Sequence, residues 1–188
     1  MRAHTKLPQG YRLVTRFDLV HQRGQLRMVS ALSLALLTVS ILLGIALQPQ
    51  DSSFFDRFFL LKLLSAFAGA AAYIVLHEAV HGVLMWLISR KKPSFGFSLM
   101  YAYAGSQVYF GKSVYLLIAI APVMLWTPLL WQLALLVPSG WFWAVWAVQA
   151  LNLSGAAGDV YMFACMLRKP RTVLVQDSGT AMMVYDAV

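Results

Sequence analysis

Four long apolar segments, separated by short polar or basic stretches, make up most of the chain. They cover residues 28–47, 58–88, 114–136 and 141–167. An α-helix needs about 20 mainly apolar residues to cross a bilayer, and each segment is long enough. The pattern therefore predicts an all-α membrane protein. We expect a single domain of four transmembrane helices, with a basic tail at residues 1–27 and a second tail at residues 168–188.

A segment with a different period lies between the second and third spans, at residues 94–111. Large apolar or aromatic side chains alternate there with small or polar ones, at Phe95, Phe97, Leu99, Tyr101 and Tyr103. This is the period of a β-strand, and residues 104–106 can turn the chain into a second strand through Val108 and Phe110. We expect a short β-hairpin. Its edge could bind an unwound substrate as an added strand, but a plain interfacial hairpin has the same pattern.

Composition separates this chain from soluble domains. Of its 188 residues, 60% are hydrophobic and 12% are charged, and the mean hydropathy is +0.69. The net charge of +8 would suggest a nucleic-acid partner in a soluble protein, but here the basic residues flank the apolar spans. We therefore expect no nucleic-acid partner. The single cysteine, Cys165, excludes a disulfide framework and a cysteine-based zinc site.

The distribution of Arg and Lys predicts how the spans cross the membrane. Six lie in residues 1–27, four in residues 89–112 and three in residues 168–188, whereas the first loop has only Arg57, with Lys62 just inside the second span. Because basic residues accumulate on the cytoplasmic side, both termini and the middle segment are expected there. No cleavable signal peptide is evident, so the first span is expected to stay in the protein.

The second span contains the sequence His77-Glu78-Ala79-Val80-His81, and Glu78 is the only glutamate of the chain. On a helix, residues four apart share a face, so both imidazoles can bind one zinc ion. Glu78 lies beside them as a candidate general base. A carboxylate in lipid costs several kcal/mol unless it is compensated, and a metal would compensate it. A structural Glu–His pair inside the bundle is the alternative.

Only one other acidic residue lies within a span. His81 precedes Arg90 by nine residues, and Asp159 precedes Arg168 by nine residues, at the end of a helix that runs in the same direction. Both side chains are therefore expected about 13 Å below the same end of the bundle. The two intramembrane carboxylates, Glu78 and Asp159, are predicted to lie at similar depth.

A catalytic zinc site usually has three protein ligands. The other two histidines precede the first span, and Leu84 and Leu87 occupy the positions where the extended zincin pattern has Gly and His. Asp159 is the best remaining ligand. Alternatively, Asp159 pairs with a Lys or His of the bundle, and Asp177 and Asp186 in the C-terminal tail are weaker candidate ligands.

A polar residue precedes Asp159 by two helical turns. Asn152 is expected on roughly the same face as Asp159, with Gly155 and Gly158 allowing close helix packing. Asn152 can hold a substrate carbonyl or orient a metal ligand. An interhelical hydrogen bond explains it equally well.

These motifs together resemble a known family. The sequence from His77 through His81 to Gly82, Ala121-Pro122 in the third span and the run from Asn152 to Asp159 resemble the putative zincin peptidases, small four-helix membrane proteins related to site-2 proteases. In site-2 proteases, an Asn-containing motif ending in Leu-Asp-Gly supplies the third zinc ligand. The resemblance implies that Asp159 is this ligand and that Asn152 is the motif's Asn, although Gly158 and Val160 replace the flanking Leu and Gly.

The function expected from these observations is that of a zinc-dependent intramembrane endopeptidase. It would act on peptide bonds in or near the transmembrane segments of a protein or peptide substrate, in the bacterial cytoplasmic membrane. The alternative is a metal-binding membrane protein without hydrolase activity, such as a transporter or adaptor. Haem fits poorly, because two histidines four residues apart on one helix cannot bind opposite faces of one iron. The sequence does not predict the oligomeric state.

Overall fold

The computed structural model describes residues 3–18, 22–97 and 102–187. It has four helical segments that are long and apolar enough to cross a membrane. The first three are single helices: α1 Arg23–Leu47, α2 Phe59–Ser89 and α3 Lys112–Leu136. The fourth covers Ser139–Leu167 and consists of a 3-10 turn, Ser139–Trp141, followed by α4 Phe142–Gly155 and α5 Ala157–Leu167.

The helices leave most of their apolar surface uncovered. Only 11% of the most apolar part of α1 and of α2 is buried within the protein, and the share reaches 33% in the fourth segment. Leu34, Leu60 and Phe67 are all more than 60% exposed. A soluble protein rarely exposes so much contiguous apolar surface, whereas a bilayer would cover it. The prediction of a mainly helical fold with four segments long and apolar enough to cross a membrane is confirmed.

The fourth span is broken where one continuous helix was expected. Ala156 has φ −79° and ψ 8°, and its N–H contacts the carbonyl oxygens of Asn152 and Ser154. The break falls within Gly155-Ala156-Ala157-Gly158. Glycine lowers helix stability by about 1 kcal/mol relative to alanine, and these side chains are too small to hold the helix by packing. A new helix therefore begins at Ala157, two residues before Asp159.

The expectation of an all-α fold needs correction, because both terminal segments contribute to a five-stranded sheet. Its order is β1-β5-β6-β7-β2, and every neighbouring pair is antiparallel. The strands are β1 Ala3–His4, β2 Tyr11–Phe17, β5 Tyr109–Gly111, β6 Leu174–Asp177 and β7 Met182–Ala187. Val175 and Val184 are fully buried at its centre. Its strands come from three distant parts of the chain, so no local sequence pattern predicts this sheet.

The predicted hairpin exists, but its strands differ from the expected ones. β3 Ser94–Phe97 pairs with β4 Ala102–Gly105, with Phe95 opposite Ala104. Tyr103 therefore belongs to the second strand, and residues 104–106 do not form the turn. The predicted second strand lies instead in the five-stranded sheet, as β5. Alternation of period two is the same on both sides of a turn, so it could not distinguish one long strand from two short ones. Leu99 and Tyr101 lie outside the described residues.

The chain forms two compact units. The sheet unit consists of Met1–Val29, His77–Pro122 and Asp159–Val188, and the helical unit of Ser30–Leu76 and Val123–Gly158. The core of the sheet unit packs the sheet against parts of the helices, through Phe110, Ile118, Met166 and Val175 among others. In the helical unit, Trp146 is 1% exposed and donates its indole N–H to the Ser40 carbonyl oxygen at 2.9 Å. The single-domain organisation stays a prediction.

Candidate metal centre

Helix α2 places two histidines one turn apart, on the part of the helix that belongs to the sheet unit. His77 and His81 are each 7% exposed, and their ring centroids lie 5.1 Å apart. The spacing of four residues puts both rings on one face. The pair expected from the sequence is therefore present and largely shielded from solvent.

Asp159 joins these two rings from the first turn of α5. Its Oδ2 atom lies 3.0 Å from His77 Nε2 and 3.5 Å from His81 Nε2, and its side chain is 29% exposed. The unpaired N–H groups at a helix N-terminus favour negative charge, so this position stabilises the carboxylate. Within the described residues, His77, His81 and Asp159 form a group of potential metal-ligating atoms, all within 4.8 Å of one another.

A backbone carbonyl orients the second imidazole. His81 Nδ1 lies 2.9 Å from the carbonyl oxygen of Ile118 on α3. A carbonyl only accepts, so Nδ1 must carry a proton and donate it. In the neutral ring, Nε2 then directs a lone pair toward Asp159. The Nε2 lone pair and the Asp159 carboxylate are both acceptors, and they lie 3.5 Å apart. They are stable at this distance if His81 carries a second proton on Nε2, or if both atoms bind a metal ion.

The spacing of these atoms fits zinc. Ligands bound tetrahedrally at about 2.0–2.1 Å lie about 3.3 Å from one another. The distances from Asp159 Oδ2 to the two histidine Nε2 atoms, 3.0 and 3.5 Å, lie on either side of this value. Two imidazole nitrogens and one carboxylate oxygen are also ligands that zinc accepts, and three ligands leave a fourth position for water or substrate.

Glu78 follows His77 on the same helix but lies outside the group of three. Its side chain is half-buried, and the backbone N–H of Ala104 on β4 provides it with a hydrogen-bond donor. The carboxylate also lies near enough to His81 and His77 to interact with them electrostatically, without being one of the three grouped ligands. This arrangement leaves Glu78 available for proton transfer.

The hairpin packs against the end of the same motif. A Cβ atom on Gly82 would lie 2.2 Å from Cζ of Phe95, far inside any normal contact. Only glycine allows the aromatic ring of β3 to rest on α2 at this point. The residue directly after His81 therefore determines how closely the hairpin approaches the two histidines.

Residues 70–174, more than half of the chain, match the model of a family described as Putative zincin peptidase. The chain belongs to this family. No curated protein and no solved structure matches the chain. The matched residues include both histidines, Glu78, the hairpin and Asp159, and membership indicates a metallopeptidase that uses a metal, typically zinc.

Asn152 has hydrogen-bond partners for both polar atoms of its side chain within the helical unit. It is completely buried, and its Oδ1 accepts a hydrogen bond of 3.0 Å from the Tyr73 hydroxyl. Its Nδ2 lies 2.9 Å from Thr127 Oγ1 and 3.2 Å from Gln149 Oε1. These contacts link three helices and agree with the interhelical alternative. The role of Asn152 in positioning substrate stays a prediction.

The two weaker candidate ligands have other partners. The Asp177 carboxylate accepts hydrogen bonds of 2.9 Å from the Tyr115 hydroxyl and from the Gly179 N–H. Burial raises the pKa of Asp177, while these two donors act against the rise. Asp186 accepts a hydrogen bond of 2.7 Å from Thr172. Neither belongs to the metal-ligating group of His77, His81 and Asp159.

Three groups near the site were missed in the sequence. Two of them are backbone groups, the Ile118 carbonyl and the Ala104 N–H. Nearly every residue has these groups, so the sequence cannot indicate which of them contact the site. The third is Tyr115, which is 3% exposed and binds Asp177. A hydroxyl inside an apolar span needs a partner, so its position in the third span was a usable signal.

Proposed function

We propose that this zincin family member is a zinc-dependent intramembrane endopeptidase of site-2-protease-like type, cleaving peptide bonds in or near transmembrane segments. The observation that carries the proposal is the convergence of His77, His81 and Asp159 beside Glu78, on segments apolar enough to span a membrane. Metal ligands on such segments support a reaction at membrane depth, where a transmembrane substrate would be accessible.

Each residue of the site has a distinct task in this proposal. His77, His81 and Asp159 would hold the ion, with His81 kept in the required tautomer by Ile118. Zinc bound there would supply a Lewis acid that makes water a nucleophile near neutral pH. Glu78 would accept a proton from the attacking water on its carboxylate and return it to the leaving amine.

The charge distribution supports a particular orientation. The basic residues gather in residues 1–27, 89–112 and 168–188, which favours a cytoplasmic position for both termini and for the hairpin. The proposal therefore places the protein in the bacterial cytoplasmic membrane, with the site nearer the cytoplasmic side. The substrate is a membrane protein or peptide.

The hairpin is the proposed surface for that substrate. β3 packs on α2 through Phe95 and Gly82, and β4 donates a backbone N–H to Glu78. A peptide must be extended for its backbone to be cleaved, and a strand edge holds extended peptides by main-chain hydrogen bonds. The hairpin lies beside the proposed base, where such a peptide would be needed.

The test compares wild type with Glu78→Gln, which keeps the size of the side chain but cannot accept the proton. Membranes from cells producing either protein are analysed by mass spectrometry for new N-termini. We expect termini within or beside transmembrane segments in wild type and none in Glu78→Gln, while zinc content stays the same. Asp186→Asn, outside the site, is the matched control and should cleave as wild type does. A metal-binding transporter or adaptor would give equal profiles for wild type and Glu78→Gln, and that result would reject the peptidase.

A further inference from the structure

A polar pocket lies in the sheet unit, near the end of α2. It has a volume of about 320 Å³ and is lined by Thr5, Lys91, Lys92, Ser94, Ser106 and Gln107. None of these residues belongs to the metal-ligating group, and only Ser94, on β3, lies on an element with a role in the proposed hydrolysis. The pocket therefore needs an explanation of its own.

The pocket carries positive charge without a local counter-charge. Two lysine side chains line it, and none of the seven carboxylates of the chain does. Asp177 contacts the lining residue Ser106 through its backbone oxygen, and its carboxylate accepts hydrogen bonds from Tyr115 and Gly179. The pocket thus attracts an anion.

Hydroxyl groups add directional donors to this charge. Ser106 is 3% exposed, and its Oγ accepts the N–H of Val108 at 3.2 Å, so its hydroxyl proton is directed elsewhere. Thr5 and the amide of Gln107 provide further donors. Ammonium groups combined with hydroxyl and amide donors suit the three or four oxygens of a phosphate group.

The position of the pocket along α2 relates it to the membrane surface. Lys91 and Lys92 come directly after the turn at Arg90, which ends the span. On β3, Phe95 and Phe97 share one face and are 58% and 77% exposed, whereas Ser94 lies on the other face and lines the pocket. An element with one apolar and one polar face settles at the boundary between acyl chains and headgroups. This arrangement favours a position of the pocket at the level of the lipid headgroups.

We propose that this pocket binds the phosphate group of an anionic phospholipid headgroup. Basic pockets at the ends of membrane helices recognise such headgroups by charge and hydrogen bonds. The exposed apolar side chains Val83 and Leu87 on the last turns of α2 offer a surface for the attached acyl chain. A soluble phosphate compound has the same anionic chemistry, and the experiment separates the two sources.

The test is native mass spectrometry of the detergent-solubilised full chain, titrated with phosphatidylglycerol or with phosphatidylcholine. We expect wild type to retain one phosphatidylglycerol in preference to phosphatidylcholine. Because each hydrogen bond to a charged group contributes about tenfold or more, the double variant Lys91→Gln/Lys92→Gln should bind it at least about tenfold more weakly. Circular dichroism checks that the variant is folded.

The matched control removes the same charge elsewhere. Arg168 and Arg171 are exposed, lie in the sheet unit and do not line the pocket. Arg168→Gln/Arg171→Gln should retain the lipid as wild type does. Equal losses in the two double variants would show only diffuse attraction and overturn the proposal, as would unchanged binding in Lys91→Gln/Lys92→Gln.

Inorganic phosphate distinguishes the two sources. If millimolar phosphate leaves the bound phosphatidylglycerol in place, the lipid source is supported. If phosphate itself binds through the two lysines and displaces the lipid, the pocket serves a soluble phosphate compound, and the lipid proposal is overturned.

Discussion

The protonation state of His81 determines whether its Nε2 atom can bind a metal ion. Nδ1 donates to the Ile118 carbonyl, so Nε2 is the atom left to face Asp159. A metal ion then competes with a second proton for the same lone pair. Zinc binding is therefore expected to weaken as the pH falls and the site takes up protons.

Asp159 is the residue whose role is most directly testable. Asp159→Ala removes one of three proposed ligands, and two imidazoles alone hold zinc much more weakly. We expect about one zinc per chain in wild type and a clear loss in the variant, measured by elemental mass spectrometry after purification in mild detergent.

The control for this measurement is Asp186→Ala, which removes a carboxylate from the same unit but outside the group. It should keep its zinc. Equal zinc in Asp159→Ala and wild type would mean that Asp159 only pairs with the histidines. Absence of zinc from folded wild type would contradict the metal centre itself.

At the scale of elements, the break in the fourth span is the feature that positions Asp159. In one continuous helix, Asp159 would lie in the interior, where every backbone N–H is already bonded. The break at Ala156 makes it a first-turn residue of α5, next to unpaired N–H groups. The small residues around the break therefore have a second effect besides close helix packing, because the break allows Asp159 to lie at a helix N-terminus, where its negative charge is stabilised.

The packing of the hairpin on α2 can be tested with Gly82→Ala. The new methyl group would overlap the Phe95 ring, so this ring, or the hairpin that carries it, must shift. Such overpacking costs about 1–3 kcal/mol. We expect a lower thermal unfolding temperature in detergent and reduced cleavage.

Gly24→Ala provides the comparison. It is also a helical glycine, but nothing lies within 4 Å of the added Cβ. Since alanine favours helices over glycine by up to about 1 kcal/mol, this variant should be as stable as wild type or more so. A Gly82→Ala variant that behaves like Gly24→Ala would contradict the close contact.

At the scale of the whole molecule, both proposed metal-ligating segments belong to the sheet unit. α2 and α5 contribute to it, and its core also contains strands from both terminal segments. An ion that joins His77 and His81 to Asp159 would connect parts of the chain 82 residues apart. Metal binding should therefore stabilise this unit against unfolding.

Removal of the metal tests this coupling. A ligand present at about a hundredfold above its dissociation constant adds about 2.7 kcal/mol to the free energy of unfolding. A zinc chelator should thus lower the unfolding temperature of wild type by several degrees, as measured by scanning fluorimetry in detergent. Asp159→Ala should show no such change, and an equal decrease in that variant would indicate an unspecific effect of the chelator.

Much of the architecture could be predicted from local sequence. The spans follow from hydropathy summed over about 20 residues, and their observed ends agree closely, apart from an earlier start of α1 at Arg23. The sheet was not predictable in the same way. β2, β5 and β7 come from separate parts of the chain, so their place in one sheet depends on long-range contacts.

By itself, the sequence determined the four spans and the pairing of His77 with His81, because both depend only on neighbouring residues and on the geometry of one helix. Counting from helix ends also predicted the depth of Asp159. Only the tertiary structure decided that its carboxylate faces the two rings, that Ile118 orients His81 and that β4 reaches Glu78. These contacts join residues far apart in the chain, two of them through backbone atoms, and such contacts form only when the elements pack.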